Sequence, residues 1–222
     1  MTKSDKRLKM ICSMAMLTAI AIACDIFLRI PNIGGFLTYE PKDVILVIGA
    51  FIFGPVEGII MALVVCVVEM LTVSTTGIIG LIMNFLASAV FIGVSSVIYH
   101  RKKRMSRAIL GLIAGSASMI IIMLLWNYIV TPMYMGIPRE AVLGLFIPVL
   151  IPFNALKAGL NTALALSLYK GVVTALRKTG LVSARESFNN ENKRKNTILL
   201  IVISALTVIT LLLVMLIFAK II

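Results

Sequence analysis

The chain has 222 residues, 60% hydrophobic and only 14% charged, with a mean hydropathy of +1.08. A soluble domain is nearer half apolar and a quarter charged, so this composition describes an integral membrane protein. The formal net charge of +12 invites a nucleic-acid reading, but Lys and Arg fall in short segments between apolar runs, the positive-inside pattern, and nucleic acid is excluded as a partner.

Runs of about 20 apolar residues interrupted by Gly and Pro predict helices, whereas a barrel would show alternating segments of about 10. The predicted fold class is therefore all-α integral membrane. Residues 1–9 carry Lys3, Lys6, Arg7 and Lys9 against Asp5, which places the N-terminus in the cytoplasm. The first span is Met10–Ile30. It is too long for a signal peptide and lacks a small-residue cleavage site in the expected place, so it is read as a retained helix. Ala15, Ala19 and Ala23 recur every fourth residue, a stripe that lets another helix approach closely. Ordinary packing within the bundle is the alternative reading.

Pro31–Asp43 mixes Gly and Pro with Phe36, Leu37 and Tyr39, which suits a loop that covers something better than a plain solvated connector. Val44–Thr72 is then apolar for roughly 29 residues, about 43 Å as one helix, too long for a core of about 30 Å without strong tilt. Pro55 disfavours helical geometry at Gly54. The most basic loop, His100–Arg107, also belongs in the cytoplasm, so an even number of spans must separate it from the N-terminus. With Ile78–Tyr99 as one span, Val44–Thr72 has to be two short crossings broken at Gly54-Pro55. Broken helices of this kind flank binding sites in transporters. Glu57 and Glu69 are read as helix-end carboxylates, and Asn84 as an interhelical hydrogen-bonding group worth about 0.6 kcal/mol.

The fifth span, Ala108–Ile129, ends in Trp126-Asn127-Tyr128, an aromatic belt enclosing an amide. Residues 131–140 are the next outer loop. The sixth span covers about 145–176, with an interfacial turn before Pro152. Residues 179–196 form a basic cytoplasmic linker, and 197–219 a seventh span that puts the C-terminus outside. The expected organisation is a six-helix domain over 1–178, a linker over 179–196 and an additional helix over 197–222. Cys12, Cys24 and Cys66 all lie in apolar runs and read as small buried hydrophobes, so neither a disulfide framework nor a metal site is expected.

The sixth span holds the most informative stretch, Pro152-Phe-Asn-Ala-Leu-Lys-Ala-Gly-Leu-Asn161. An ionisable residue in a membrane-length apolar segment is costly, and Lys157 has no acidic residue near it in sequence. Helical spacing aligns Asn154, Lys157 and Asn161 on one face. That face could hold a polar ligand. Equally, Lys157 could snorkel from a helix end while the amides bond neighbouring helices. The topology gathers Tyr39, Asn127 and the Asn154–Lys157 face in the outer half of the membrane. There is no P-loop, no His-Glu-x-x-His, no Gly-x-Ser-x-Gly and no pair of carboxylates, so no enzyme is predicted.

Leu37-Thr-Tyr-Glu-Pro-Lys-Asp43, Gly49-Ala-Phe-Ile-Phe-Gly-Pro55, Thr76-Gly-Ile-Ile-Gly80 with Met83-Asn-Phe-Leu-Ala87, Asn127–Gly136 and Pro152–Lys157 occur in order. Together they resemble the riboflavin-specific substrate-binding (S) component of energy-coupling factor (ECF) transporters, over roughly residues 8–178. The resemblance implies a six-helix S-component-like bundle that captures riboflavin as transported ligand, with no cofactor. Its partners would be a transmembrane coupling protein and two cytoplasmic ATPase subunits. It further implies ligand contacts at Asn127, Asn154 and Lys157, lid packing by Tyr39, and docking on the coupling protein through Ala15, Ala19 and Ala23. The seventh span departs from the family pattern. The competing expectations are an S component for another vitamin and a self-contained secondary transporter, for which buried acidic residues are few. Asn161 is expected to serve packing.

Overall fold

The computed structural model describes residues 3–33 and 37–178, together with 202, 205–207, 209–210 and 213–214 near the C-terminus. The elements are α1 (Lys3–Leu28), β1 (Ile30–Ile33), β2 (Leu37–Tyr39), α2 (Lys42–Phe53), α3 (Pro55–Thr72), α4 (Gly77–His100), α5 (Met105–Met135), α6 (Arg139–Leu145) and α7 (Ile151–Lys178), with a π-helical turn at Phe146–Leu150 before α7. Five of these stretches are long and apolar enough to cross a membrane: Arg7–Leu28, Pro55–Thr72, Gly77–His100, Met105–Met135 and Arg139–Tyr169.

The break at Gly54-Pro55 is present, and its cause is local. Gly54 adopts φ 142°, a conformation that glycine alone takes without strain, and Pro55 opens α3 at its first position. The chain turns back on itself there. Gly58 lies against Ala50, Met61 against Gly49, and Glu69 meets Lys42, so α2 and α3 run antiparallel. At 12 residues, α2 is about 18 Å long, and Lys42 to Ile52 are all buried. It is the central post of the bundle, with α1, α3, α4 and α7 around it. Its core side chains, Leu46, Ile48 and Phe51, pack with Leu17, Met61, Phe91 and Leu166.

Close packing of α4 on α5 rests on Gly111 and Gly115. A Cβ at either would strike Ser95, and at Gly115 also the Phe91 carbonyl. Small residues let membrane helices approach in this way.

Two expectations need correction. The loop expected at 131–140 begins later, because α5 continues through Pro132 to Met135 and stops where Gly136 takes a left-handed φ of 65°. Thr131 donates to Asn127 Oδ1 one turn back (2.9 Å), a side-chain bond in the turn that Pro132 interrupts. Second, the loop expected at 31–43 is a short antiparallel hairpin, β1 with β2, pairing Ile30 with Tyr39 and Ile33 with Leu37. The linker expected at 179–196 lies outside the described residues. Most of the seventh span does too, although its described residues are helical and the Thr210 methyl lies over Gly159 of α7.

Candidate functional site

Because the helices alternate in direction, the end of α1, the β-hairpin, the start of α2, the end of α3, the start of α4, the end of α5 and the start of α7 share one end of the bundle. His100–Arg107 lies at the other. The shared end contains a buried cluster of charges. Lys42 is fully buried, and its Nζ lies 2.6 Å from both Glu40 Oε2 and Glu69 Oε2 and 4.0 Å from Asp25 Oδ1. Arg29 Nη2 reaches Glu40 Oε1 at 3.2 Å and Glu69 Oε1 at 3.1 Å. Asn84 Nδ2 donates to the same two oxygens, at 2.9 and 2.6 Å. Lys157 Nζ completes the set, 3.3 Å from Glu40 Oε2. Deeper in, Asp43 accepts from Ser88 Oγ (2.5 Å) and from Asn161 Nδ2 (3.4 Å).

Such groups survive away from water only when paired and hydrogen-bonded, and removing one partner strands the others. The cluster therefore fixes the relative positions of α1, the hairpin, α2, α3, α4 and α7. Glu69, expected as a helix-end carboxylate, is a buried hub at 3% exposure.

Beside the cluster lies a cavity of about 630 Å³, within the range of roughly 300–1,000 Å³ typical of small-molecule sites. Arg29, Glu40 and Lys157, joined by the Asn84 amide, give it a charged side. Asn127, Thr131 and Asn154 add neutral polar groups, and Ile79, Met83, Trp126, Tyr134 and Phe153 an apolar and aromatic wall. Val73–Thr76, the α3–α4 turn, and Leu37, Thr38 and Glu40 of the hairpin segment line it as well.

Of the residues expected at the site, Asn127, Asn154 and Lys157 meet in this cavity. Lys157 is 6% exposed and pairs with one carboxylate, leaving ammonium protons for a second acceptor. Asn154 Nδ2 donates to the Leu150 carbonyl (2.8 Å), and its Oδ1 is unpaired among the described residues. Asn127 Nδ2 donates to the Met123 carbonyl (2.7 Å). The π-helical turn at Phe146–Leu150 immediately precedes these α7 groups, a feature frequent at functional sites.

Tyr39 does not line the cavity. It packs with Leu37, Val142, Leu150 and Phe153 beneath the hairpin, and its hydroxyl donates to Asn161 Oδ1 (3.1 Å). Burial pushes its phenol well above the ordinary tyrosine range, aided by Asp43, so it remains a donor. Asn161 is fully buried and ties Tyr39 to Asp43, the packing part expected of it. Ala15, Ala19 and Ala23 are exposed on α1, opposite the face that buries Leu17, Ala21 and Asp25.

Arg29, Glu40 and Lys42 were not expected at the site; Glu69 was expected only as a helix-end carboxylate, and Asn84 makes the interhelical hydrogen bonds expected of it. Lys42 and Glu40 sat in what looked like a loop, where charge is ordinary. The available signal was that the charged stretch Glu40–Asp43 is wedged between Tyr39 and the apolar run that starts at Val44.

A helical membrane bundle with a polar cavity enclosed at one end is a membrane-embedded binding protein. Residues 9–169 match the family model described as "ECF transporter, substrate-specific component", and the chain belongs to that family. It is 32% identical over 177 residues to the riboflavin transporter RibU of Staphylococcus aureus (strain TCH60), a match covering 77% of this chain and 93% of that protein. A solved structure reported as the S component of a bacterial ECF transporter superposes with a TM-score of 0.66 at 32% identity, covering 77% of this chain and 99% of that one. The chain is thus a multi-pass cell-membrane transport component, not an enzyme.

Proposed function

We propose that the chain captures riboflavin in this cavity from outside the cell and delivers it for ATP-driven uptake. The partners would be a transmembrane coupling protein, met by the exposed Ala15–Ala19–Ala23 face of α1, and two cytoplasmic ATPase subunits. The N-terminus and His100–Arg107 would then face the cytoplasm and the cavity the outside.

The observation that carries this reading is the pairing of an unsaturated ammonium with an unpaired amide oxygen beside an aromatic wall. The pyrimidine edge of a flavin presents carbonyl, N–H and carbonyl in a row. Lys157 supplies a donor for a ring carbonyl, and Asn154 Oδ1 an acceptor for the ring N–H. Trp126 and Phe153 offer apolar surface to the flat ring system, and Glu40 with Asn84 suits the ribityl hydroxyls. Tyr39 packs the hairpin lid without touching the ligand. The 32% identity to a protein named as a riboflavin transporter supports the choice of vitamin.

The test is direct. The purified chain in detergent should carry a flavin absorption spectrum or, once stripped, quench added riboflavin fluorescence at one equivalent. Absence of quenching at micromolar protein rules the vitamin out.

A further inference from the structure

Two walls of the cavity belong to different connections of the chain. The hairpin segment contributes Thr38 and Glu40, and the α3–α4 turn contributes Val73–Thr76. The turn has internal support from Ser74 Oγ, which accepts from the Thr76 amide (3.3 Å) and lies 3.2 Å from Thr76 Oγ1. It has one polar tie to the rest of the bundle from a side chain outside it, among the hydrogen bonds of the described residues. Arg29 Nη1 donates to the Val73 carbonyl at 3.1 Å, while Nη2 holds Glu40 and Glu69.

We infer that Arg29 is a positioning residue, a clasp that holds the α3–α4 turn against the hairpin segment and so sets how long a ligand stays in the cavity. The planar guanidinium suits the task, because its rigid fork aims Nη1 at a backbone carbonyl and Nη2 at two carboxylates, a wider reach than the single nitrogen of a lysine ammonium. Its removal should spare the fold. Glu40 and Glu69 would still share Lys42 at 2.6 Å and Asn84, and Glu40 would keep Lys157. What disappears is the link to the turn. Arg29 stands at the α1–β1 junction with its side chain 16% exposed, so the clasp lies at the rim of the cluster.

The proposal rests on riboflavin as ligand for its kinetic half and on geometry alone for its labelling half. In the full chain, Arg29→Met should raise the riboflavin dissociation rate by roughly tenfold and leave the association rate within about twofold, since changes within one site fall mostly on dissociation. Arg29→Lys should fall between Arg29→Met and the wild type. Independently, a cysteine at half-buried Val73 should react several times faster with an impermeant maleimide in the ligand-free Arg29→Met protein than in the ligand-free parent.

Unchanged Val73→Cys labelling with faster dissociation would make Arg29 a ligand contact and overturn the clasp. Unchanged dissociation would overturn it as well. If Arg29→Met does not fold, Arg29→Lys decides: wild-type kinetics and labelling contradict the proposal, and intermediate values support it. If the parent binds no riboflavin, the vitamin assignment fails by itself, and the labelling comparison still decides the clasp.

Discussion

The two ends of this bundle solve the same packing problem with opposite materials. At the cavity end, helices are joined by Lys42, Arg29 and Lys157 acting on Glu40 and Glu69, with Asn84 across both carboxylates. At the opposite end they are joined by rings and neutral hydrogen bonds. Phe51 stacks on Tyr99 at 4.6 Å, and the Tyr99 and Tyr169 hydroxyls lie 3.1 Å apart. Ser96 Oγ donates to the Ala50 carbonyl at the end of α2 (2.9 Å), and His100 Nε2 lies 3.0 Å from the same oxygen, which makes that nitrogen the donor. Rings fill space and need no desolvation of charge. Ions give directional donors and acceptors beside a cavity, at the cost of demanding mutual satisfaction. On the proposed function, the charged end is the one that recognises a polar molecule and the other only holds the helices.

Removing the centre of the charged cluster should have the largest effect. Lys42→Met takes from Glu40 and Glu69 their shortest ion pairs, and loss of one member of a buried ionic set costs about 3–5 kcal/mol. Unfolding in mixed detergent micelles would measure it, and a loss below about 1 kcal/mol would mean that the cluster is solvated rather than structural. Next comes assembly. Ala19→Leu adds bulk to the exposed alanine face of α1, so co-purification with the coupling protein should be lost while riboflavin affinity is retained. Lost binding with intact assembly would reverse the roles of the two faces. At the opposite end, Tyr169→Phe removes the neutral hydroxyl contact with Tyr99, a bond worth about 0.5–1.5 kcal/mol, and should leave ligand affinity unchanged. Labelling from outside sharpens the contrast between ends: a cysteine at Arg104 should be shielded from an impermeant reagent, and one at Gly136 should react.

Much of this contrast could be read from the chain. The Gly54-Pro55 break followed from length and charge parity, and the Asn154–Lys157 face from helical spacing around one ion in an apolar run. The partners of Lys157 were not legible. Glu40 lies 117 positions earlier, and only the antiparallel return of α2 and α3, with α7 beside α2, brings them together. Glu69 read as a helix-end carboxylate because it is near the α3 C-terminus; that end is in fact where the other charged residues converge. In the sequence Tyr39 is an aromatic residue in a loop, but an aromatic side chain near a cavity can pack under the lid as readily as face the ligand, and hairpin register decides between them. Continuation of α5 past Pro132 was hidden because proline is the usual stop signal.

The most direct measurement is a riboflavin titration of the wild-type chain beside Lys157→Met, Asn154→Leu and the Tyr169→Phe control. Placing recognition at the charged end predicts a loss of at least tenfold in affinity, about 1.4 kcal/mol, for each of the first two and none for the third. Equal affinity across all four proteins would contradict it.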